Sequence, residues 1–197
     1  LERIMLKFID AGFHNFYIST HYQAEKIKDY FGDGTDWNIS IKYIHEEKPL
    51  GTGGSLGLLP KSEINLPLFM MNGDLLSELN FLELLKYHNE TESIATMCVS
   101  EYELQIPYGV VVKDEDRFIK IDEKPSQKFF INAGIYIIDP SVLEGIDGNS
   151  YLDMPTLLNQ ITEKEFEVNI FPIYEYWLDI GQLGDFNKAK EDLKNED

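Results

Sequence analysis

The stretch Leu68-Phe69-Met70-Met71-Asn72-Gly73-Asp74 runs four large apolar residues into an amide, a glycine and a carboxylate. A continuous apolar run bounded by turn residues predicts a strand buried on both faces, hence a central strand of a parallel sheet. Asp74 then stands at the carboxyl edge of that sheet, where open α/β folds bind ligands. A carboxylate there can hold Mg²⁺ beside a nucleotide's phosphates. Read alone, Asn-Gly-Asp is better explained as an Asx-type turn that closes the strand.

Outward from this strand the pattern alternates. Leu1, Ile4, Met5, Phe8 and Ile9 share a helical face that Gly12 ends. Phe16 to Ser19 predicts a strand, Gln23 to Phe31 a helix, and Ile39, Ile41 and Tyr43 a second strand. A glycine loop and a helix to about Leu59 precede the central run. Phe81 to Tyr87 predicts a helix and Ile94 to Val99 a buried strand. Such alternation argues for a doubly wound α/β sheet. Tyr108 to Val112 and Phe118 to Ile121 then flank a polar turn as a hairpin, and Phe130 to Ile138 is a strand. Leu152 to Ile161 is helical, Val168 to Phe171 and Tyr176 to Ile180 are strands, and a charged helix begins near Leu183.

The 197 residues suffice for one domain, residues 1–197, with a smaller lobe over roughly 101–175. The net charge of −18 disfavours nucleic acid and anionic membranes as partners. If the ligand carries phosphates, a metal or placed lysines must offset that field. No apolar run approaches the roughly 20 residues of a membrane span. Cys98 is the only cysteine, inside an apolar strand, which predicts a packed thiol and fits a reducing cytoplasm.

Lys48-Pro49-Leu50-Gly51-Thr52-Gly53-Gly54-Ser55-Leu56-Gly57 suggests a phosphate cradle, but the spacing does not support it. A P-loop needs Gly-Lys-Ser/Thr, and Gly54-Ser55 has no lysine between. For the dinucleotide fingerprint the third glycine falls one place late. Glycines can also let backbone lie against a planar base and hydrogen-bond its edge. A helix entrance that binds nothing explains them equally well.

Further signals repeat the logic of Asp74. Asp179 interrupts the apolar Trp177-Leu178-Asp179-Ile180-Gly181, and a buried carboxylate needs a cation or donors. With Asp74 it would make a two-carboxylate Mg²⁺ site. In Glu123-Lys124-Pro125 the proline predicts an extended Lys124, either a phosphate clamp or half of an exposed charge pair. Asn132-Ala133-Gly134 puts an amide and a glycine inside an apolar strand, marking close approach of a ligand or of backbone.

Taken in order, Leu50-Gly51-Thr52-Gly53-Gly54, Asn72-Gly73-Asp74, Tyr108-Gly109, Glu123-Lys124-Pro125, Asn132-Ala133-Gly134 and Trp177-Leu178-Asp179-Ile180-Gly181 make a series. It resembles the sugar-1-phosphate nucleotidyltransferases, above all their mannose-1-phosphate guanylyltransferase-like branch, along the whole chain. That resemblance implies a Rossmann-like mixed sheet flanked by helices, of the nucleotide-diphospho-sugar transferase type. It implies that Leu50, Gly51, Thr52, Gly53, Asn72 and Gly73 contact the nucleotide, with a lean toward GTP. Tyr108, Gly109, Glu123 and Asn132 would line the sugar site and Lys124 would hold the sugar phosphate. Asp74 and Asp179 would hold Mg²⁺, which with Lys124 makes the catalytic set. The substrates implied are a nucleoside triphosphate and a sugar 1-phosphate.

The family's signature loop, glycine-rich with an arginine and a following lysine, has no counterpart within this sequence. The expectation is a fold lacking its first strand and that loop, with little activity of its own. Apolar sheet edges would then be exposed and would favour a homo-oligomer. The competing readings are a non-catalytic regulatory subunit of the same fold and a nucleotide-sugar-dependent glycosyltransferase. Retention of Asp74, Lys124 and Asp179 argues against the first. Asn72-Gly73-Asp74, in place of an Asp-x-Asp, fits the second less well.

Overall fold

The computed structural model describes residues 1–181 and 183–194, without the side chains of 183, 186–188, 193 and 194. In chain order, α1 (Glu2–Asp10), β1 (Asn15–Thr20), α2 (Ala24–Phe31), β2 (Ser40–His45) and α3 (Gly51–Gly54) form the first part. β3 (Leu68–Met71), β4 (Leu75–Ser77), α4 (Phe81–Thr91) and β5 (Ala95–Gln105) follow. β6 (Val110–Asp114), β7 (Arg117–Asp122) and β8 (Ser126–Ile138) run on without a helix. α5 (Pro140–Leu143), α6 (Met154–Glu163), β9 (Val168–Ile173), β10 (Trp177–Asp179) and α7 (Leu183–Lys194) complete the order.

Local chemistry sets several boundaries. Asn80 caps α4, its Oδ1 accepting from the amides of Leu82 and Glu83. Asp153 caps α6 by accepting from the Thr156 amide at 2.8 Å. Met154, Leu157, Leu158 and Ile161 then bury one face of α6, at helical spacing. The glycines expected to form a loop are themselves the short helix α3.

The main sheet has the order β3-β8-β5-β9. β8 is antiparallel to both neighbours, whereas β9 runs parallel to β5. β1 and β2 form a parallel pair, β4 and β10 an antiparallel pair, and β6 and β7 a hairpin. The mixed sheet is therefore as expected, but the place of Leu68–Met71 in it is not. Among the described residues β3 is an edge strand, half-buried and antiparallel to β8. The apolar run signalled two covered faces, and that much holds. Leu68 and Met70 pack on the cluster built around α6, and Phe69 and Met71 on that around α1 and α4. Covered faces do not fix which strands lie alongside.

An apolar slot separates β3 from β1. It comprises cavities of about 430 Å³ and 570 Å³ whose linings share Phe8, Phe16, Tyr17 and Phe69. The carboxyl halves of both strands line the first and their amino halves the second, so the two strands run in the same sense. Residues 1–197 on their own are expected to self-associate through this apolar edge. Sedimentation equilibrium that fits a monomer at every concentration would contradict this.

β5 and β8 extend farther than their apolar runs suggested, pairing out to Gln105 with Ser126. Cys98 is fully buried, and burial pushes its thiol pKa up to about 12, so it is the packed group the sequence indicated. His88 is buried on α4, its Nδ1 2.8 Å from Thr96 Oγ1. Burial lowers its pKa, with the charge of Asp139 opposing. Below about pH 6.5 the unfolded chain takes up a proton that the folded chain resists, so stability falls with acidification. Urea unfolding between pH 7.5 and 5.5 is expected to show that decline, and His88→Gln to flatten it. Equal slopes in both proteins would remove His88 as the cause.

Candidate functional site

The two aspartates are brought together by backbone pairing. β4 pairs with β10 so that Leu75 faces Asp179, and the Ile180 amide donates to the Asp74 carbonyl at 2.9 Å. A Cβ placed on Gly181 would lie 3.0 Å from Asp179 Oδ1 and 3.3 Å from Asp74 Oδ2. Both carboxylates thus converge on one point beside Gly181. Asp179 is exposed rather than buried. Strand alternation explains the difference: Leu178 takes the inner face, and Asp179 turns outward next to it. Among the described residues no group of three or more His, Cys, Asp or Glu side chains could hold a metal. An Mg²⁺ ion held by this pair would take its remaining oxygens from water or phosphate, which suits that ion.

A cavity of about 190 Å³ lies beside the pair, lined among others by Thr52, Asn72, Asn132, Tyr136, Trp177 and Asp179. The structure thus joins four of the six sequence motifs. The Asn72 amide donates to the Gly134 carbonyl at 3.0 Å, continuing the β3–β8 ladder. Gly134 has φ 69°, and a Cβ there would meet Asn72 Nδ2 at 2.7 Å. The close approach anticipated at this glycine is therefore that of a protein side chain. Asn132 is held by its own strand: the Gly134 amide donates to its Oδ1 at 3.0 Å, and Tyr136 Oη lies 2.7 Å from its Nδ2.

Among the lining residues, neither Tyr136 nor Trp177 carries a signal of a site role of its own in the sequence. Tyr136 lies four residues after Asn132, on the same face of β8, and a buried hydroxyl in an apolar strand points only to a polar partner. Trp177 opens the motif around Asp179 and reads there as an ordinary strand residue. Its Nε1 donates to the Ala133 carbonyl at 2.9 Å, tying β10 to β8.

The glycine segment is packed against its own chain. The amides of Gly53 and Gly54 both donate to the Leu152 carbonyl, at 2.9 and 2.7 Å. Gly51 has φ 78°, and a Cβ on it would lie 2.7 Å from that same carbonyl oxygen. Thr52 Oγ1 accepts from the Met154 amide at 2.9 Å. Of the first four α3 amides, which no helical carbonyl can satisfy, those of Gly53 and Gly54 are thus taken by Leu152 and those of Gly51 and Thr52 are not.

The other predicted residues lie apart from the cavity. Among the described residues its lining takes in neither Tyr108, Gly109, Glu123 nor Lys124. Gly109 and Glu123 do adjoin, since a Cβ on Gly109 would meet Glu123 Oε2 at 2.9 Å. Lys124 has φ 48°, left-handed rather than extended. Between the end of β7 at Asp122 and the start of β8 at Ser126 the chain bends at Glu123 and Lys124. A hydrogen bond from the Ile106 amide to the Pro125 carbonyl, 3.0 Å, locks that turn and overrides the preference set by the proline.

The family model described as nucleotidyl transferase matches residues 1–196. The chain belongs to that family. Mannose-1-phosphate guanylyltransferase catalytic subunit beta of Drosophila pseudoobscura pseudoobscura is 34% identical over 90% of this chain and 49% of its own length. A mannose-1-phosphate guanyltransferase of Debaryomyces hansenii is 31% identical over 89% of this chain and 51% of its own. The chain therefore spans about half the length of these relatives. The crystal structure of HddC from Yersinia pseudotuberculosis superposes with a TM-score of 0.71 at 26% identity, covering 97% of this chain and 84% of that one. The resemblance to sugar-1-phosphate nucleotidyltransferases, and their mixed α/β fold, are thereby borne out. No described helix is long and apolar enough to cross a membrane.

A methyl group beside Gly181 provides a direct test of the paired carboxylates. Gly181→Ala, which needs no change of backbone region, is expected to weaken Mg²⁺ binding about tenfold by wedging them apart. Calorimetric titration of the full-length protein measures this, and unchanged affinity would mean that the two do not share an ion.

Proposed function

We propose that this chain carries the transfer of a nucleotidyl group from a nucleoside triphosphate, GTP preferred, to a sugar 1-phosphate. The observation that carries the reading is the meeting of Asp74 and Asp179 beside an amide-lined cavity in a member of this family. A phosphate oxygen of the sugar 1-phosphate attacks the α-phosphorus of the triphosphate. That P–O bond forms as the bond to the β,γ-diphosphate breaks, and pyrophosphate leaves with the electron pair. The attacking phosphate is already ionised, so neither a protein nucleophile nor a strong base is needed. A buried thiol with a pKa near 12 agrees with that economy.

Catalysis is then positioning and charge neutralisation. Asp74 and Asp179 would hold Mg²⁺, which supplies positive charge to the phosphates when bound. Leu50, Gly51, Thr52, Gly53, Asn72 and Gly73 form the nucleotide side of the proposal, with the amides of Gly51 and Thr52 facing the base. Asn132 forms the cavity side of the sugar site. Tyr108, Gly109 and Glu123 approach the sugar from a lobe of roughly residues 101–175, and Lys124 binds its phosphate as a point charge.

The test is pyrophosphate release by the full-length protein, with four triphosphates against a panel of sugar 1-phosphates. GTP with a neutral hexose or heptose 1-phosphate is expected to lead. Asp179→Ala is expected to cut turnover by a factor on the order of a hundred or more at unchanged thermal stability. Lys124→Ala is expected mainly to raise the KM for the sugar phosphate. Release with no pair would overturn the function, and an Asp179→Ala protein that unfolds yet turns over normally per folded molecule would make that residue structural.

A further inference from the structure

Glu46 follows β2 and is fixed at every polar atom. Its amide donates to the Thr20 carbonyl at 3.0 Å, adding one rung beyond the His45–Thr20 pair of the β1–β2 ladder. Its carbonyl lies 2.8 Å from His21 Nδ1. Its carboxylate spans two elements: Oε1 accepts from Ser19 Oγ at 2.5 Å, and Oε2 accepts from the Leu50 amide at 2.9 Å. Leu50 is the residue before α3, it is buried, and its carbonyl accepts from the Leu152 amide at 2.8 Å.

The start of α3 is therefore clamped from two sides. Leu152 holds Gly53, Gly54 and the Leu50 carbonyl, and Glu46 holds the Leu50 amide. Between the clamps lies Gly51, at a left-handed φ of 78°, followed by Thr52. Those two residues carry the α3 amides that point to no partner within the helix. Leu50 brings no side-chain cap to this helix end. Glu46, four residues earlier and beyond Pro49, fixes instead the backbone of the N-cap residue itself.

We propose that Glu46 is a positioning residue for nucleotide recognition. By tying the end of β1 to the Leu50 amide, it sets where the Gly51 and Thr52 amides meet the base. The inference rests on the nucleotidyltransferase reading above, and it assigns the base-reading geometry to a side chain that need not touch the nucleotide. The carboxylate makes the Leu50 bond charge-assisted; an amide of the same shape can keep its oxygen on the Leu50 amide only by turning its NH2 group to Ser19 Oγ, which leaves a neutral, weaker bond.

Glu46→Gln and Ser19→Ala in the full-length protein test it. Glu46→Gln is expected to raise the KM for the triphosphate by about tenfold or more, the effect of losing a charge-assisted bond. Its kcat and its KM for the sugar phosphate are expected to stay within about twofold. Ser19→Ala, which leaves the Leu50 bond, is expected to change the triphosphate KM much less. Hydrogen exchange of the segment from Glu46 to Gly57 is expected to quicken in Glu46→Gln and not in Ser19→Ala. Equal rises in both KM values, or a KM split without faster exchange, would overturn the proposal. The exchange measurement needs no turnover, so unchanged exchange overturns it even if no sugar phosphate is ever used. Faster exchange in a protein that releases no pyrophosphate would leave the clamp standing while the reading of its purpose fell.

Discussion

The antiparallel ladders of β8 are the constraint from which the site is built. This strand pairs with β3 through Ile135 to Ile138 and with β5 along most of its length. Its odd positions, Ala133, Ile135 and Ile137, enter the core shared with α1 and α4. Its even positions, Tyr136 and Ile138, enter the core beneath α6. A slip of one residue would exchange the two sets and turn Asn132 and Tyr136 away from the cavity. Two apolar cores thus hold the register that places the polar residues. Trp177 extends the dependence, because its bond to the Ala133 carbonyl fixes the strand that carries Asp179.

The glycine segment shows how one feature can serve packing and still leave backbone donors open. Gly51, Gly53 and Gly54 let α3 lie on the backbone of residues 150–153, where a Cβ would be tight at Gly53 and Gly54 and would collide at Gly51. Two amides are consumed by that contact and two are left. The arrangement uses glycine for close approach, as the sequence indicated, but the approaching group is part of the protein. The open amides are then a by-product of a helix start that cannot satisfy its own donors.

How much of this could be read from the sequence differs by type of signal. Periodicity located α1, α2, α4 and α6 and their buried faces, because those positions recur at helical spacing. Aspartates at strand ends located the paired carboxylates, because a charge that interrupts an apolar run must be met by a cation, by donors or by water. Strand neighbours were not legible. Leu68 to Met71 looked central since both faces are covered, yet it lies at an edge, and lateral pairing leaves no mark on side-chain pattern. Nor was the left-handed Lys124 legible, since a hydrogen bond between Ile106 and Pro125 decides it from outside the local sequence. Tyr136 was hidden in an apolar run, and Glu46 in a pair of ordinary acidic residues.

Charge gives the arrangement its logic. The chain carries a net −18, and its candidate site adds two exposed carboxylates that converge beside Gly181. They are separated by no more than those two contacts laid end to end. Like charges that close, both exposed to solvent, repel by up to about 1 kcal/mol. Folding therefore does not gain from bringing them together; the β4–β10 pairing and the buried Leu75 and Leu178 do so against that repulsion. A feature that costs stability and is imposed by surrounding backbone is the pattern expected of a functional site. A divalent cation turns the same repulsion into attraction, and it also offsets the field that would otherwise repel a triphosphate. With such an ion bound, the affinity for phosphates would depend on the ion more than on the protein's own lysines and arginines, which its carboxylates outnumber by 35 to 17.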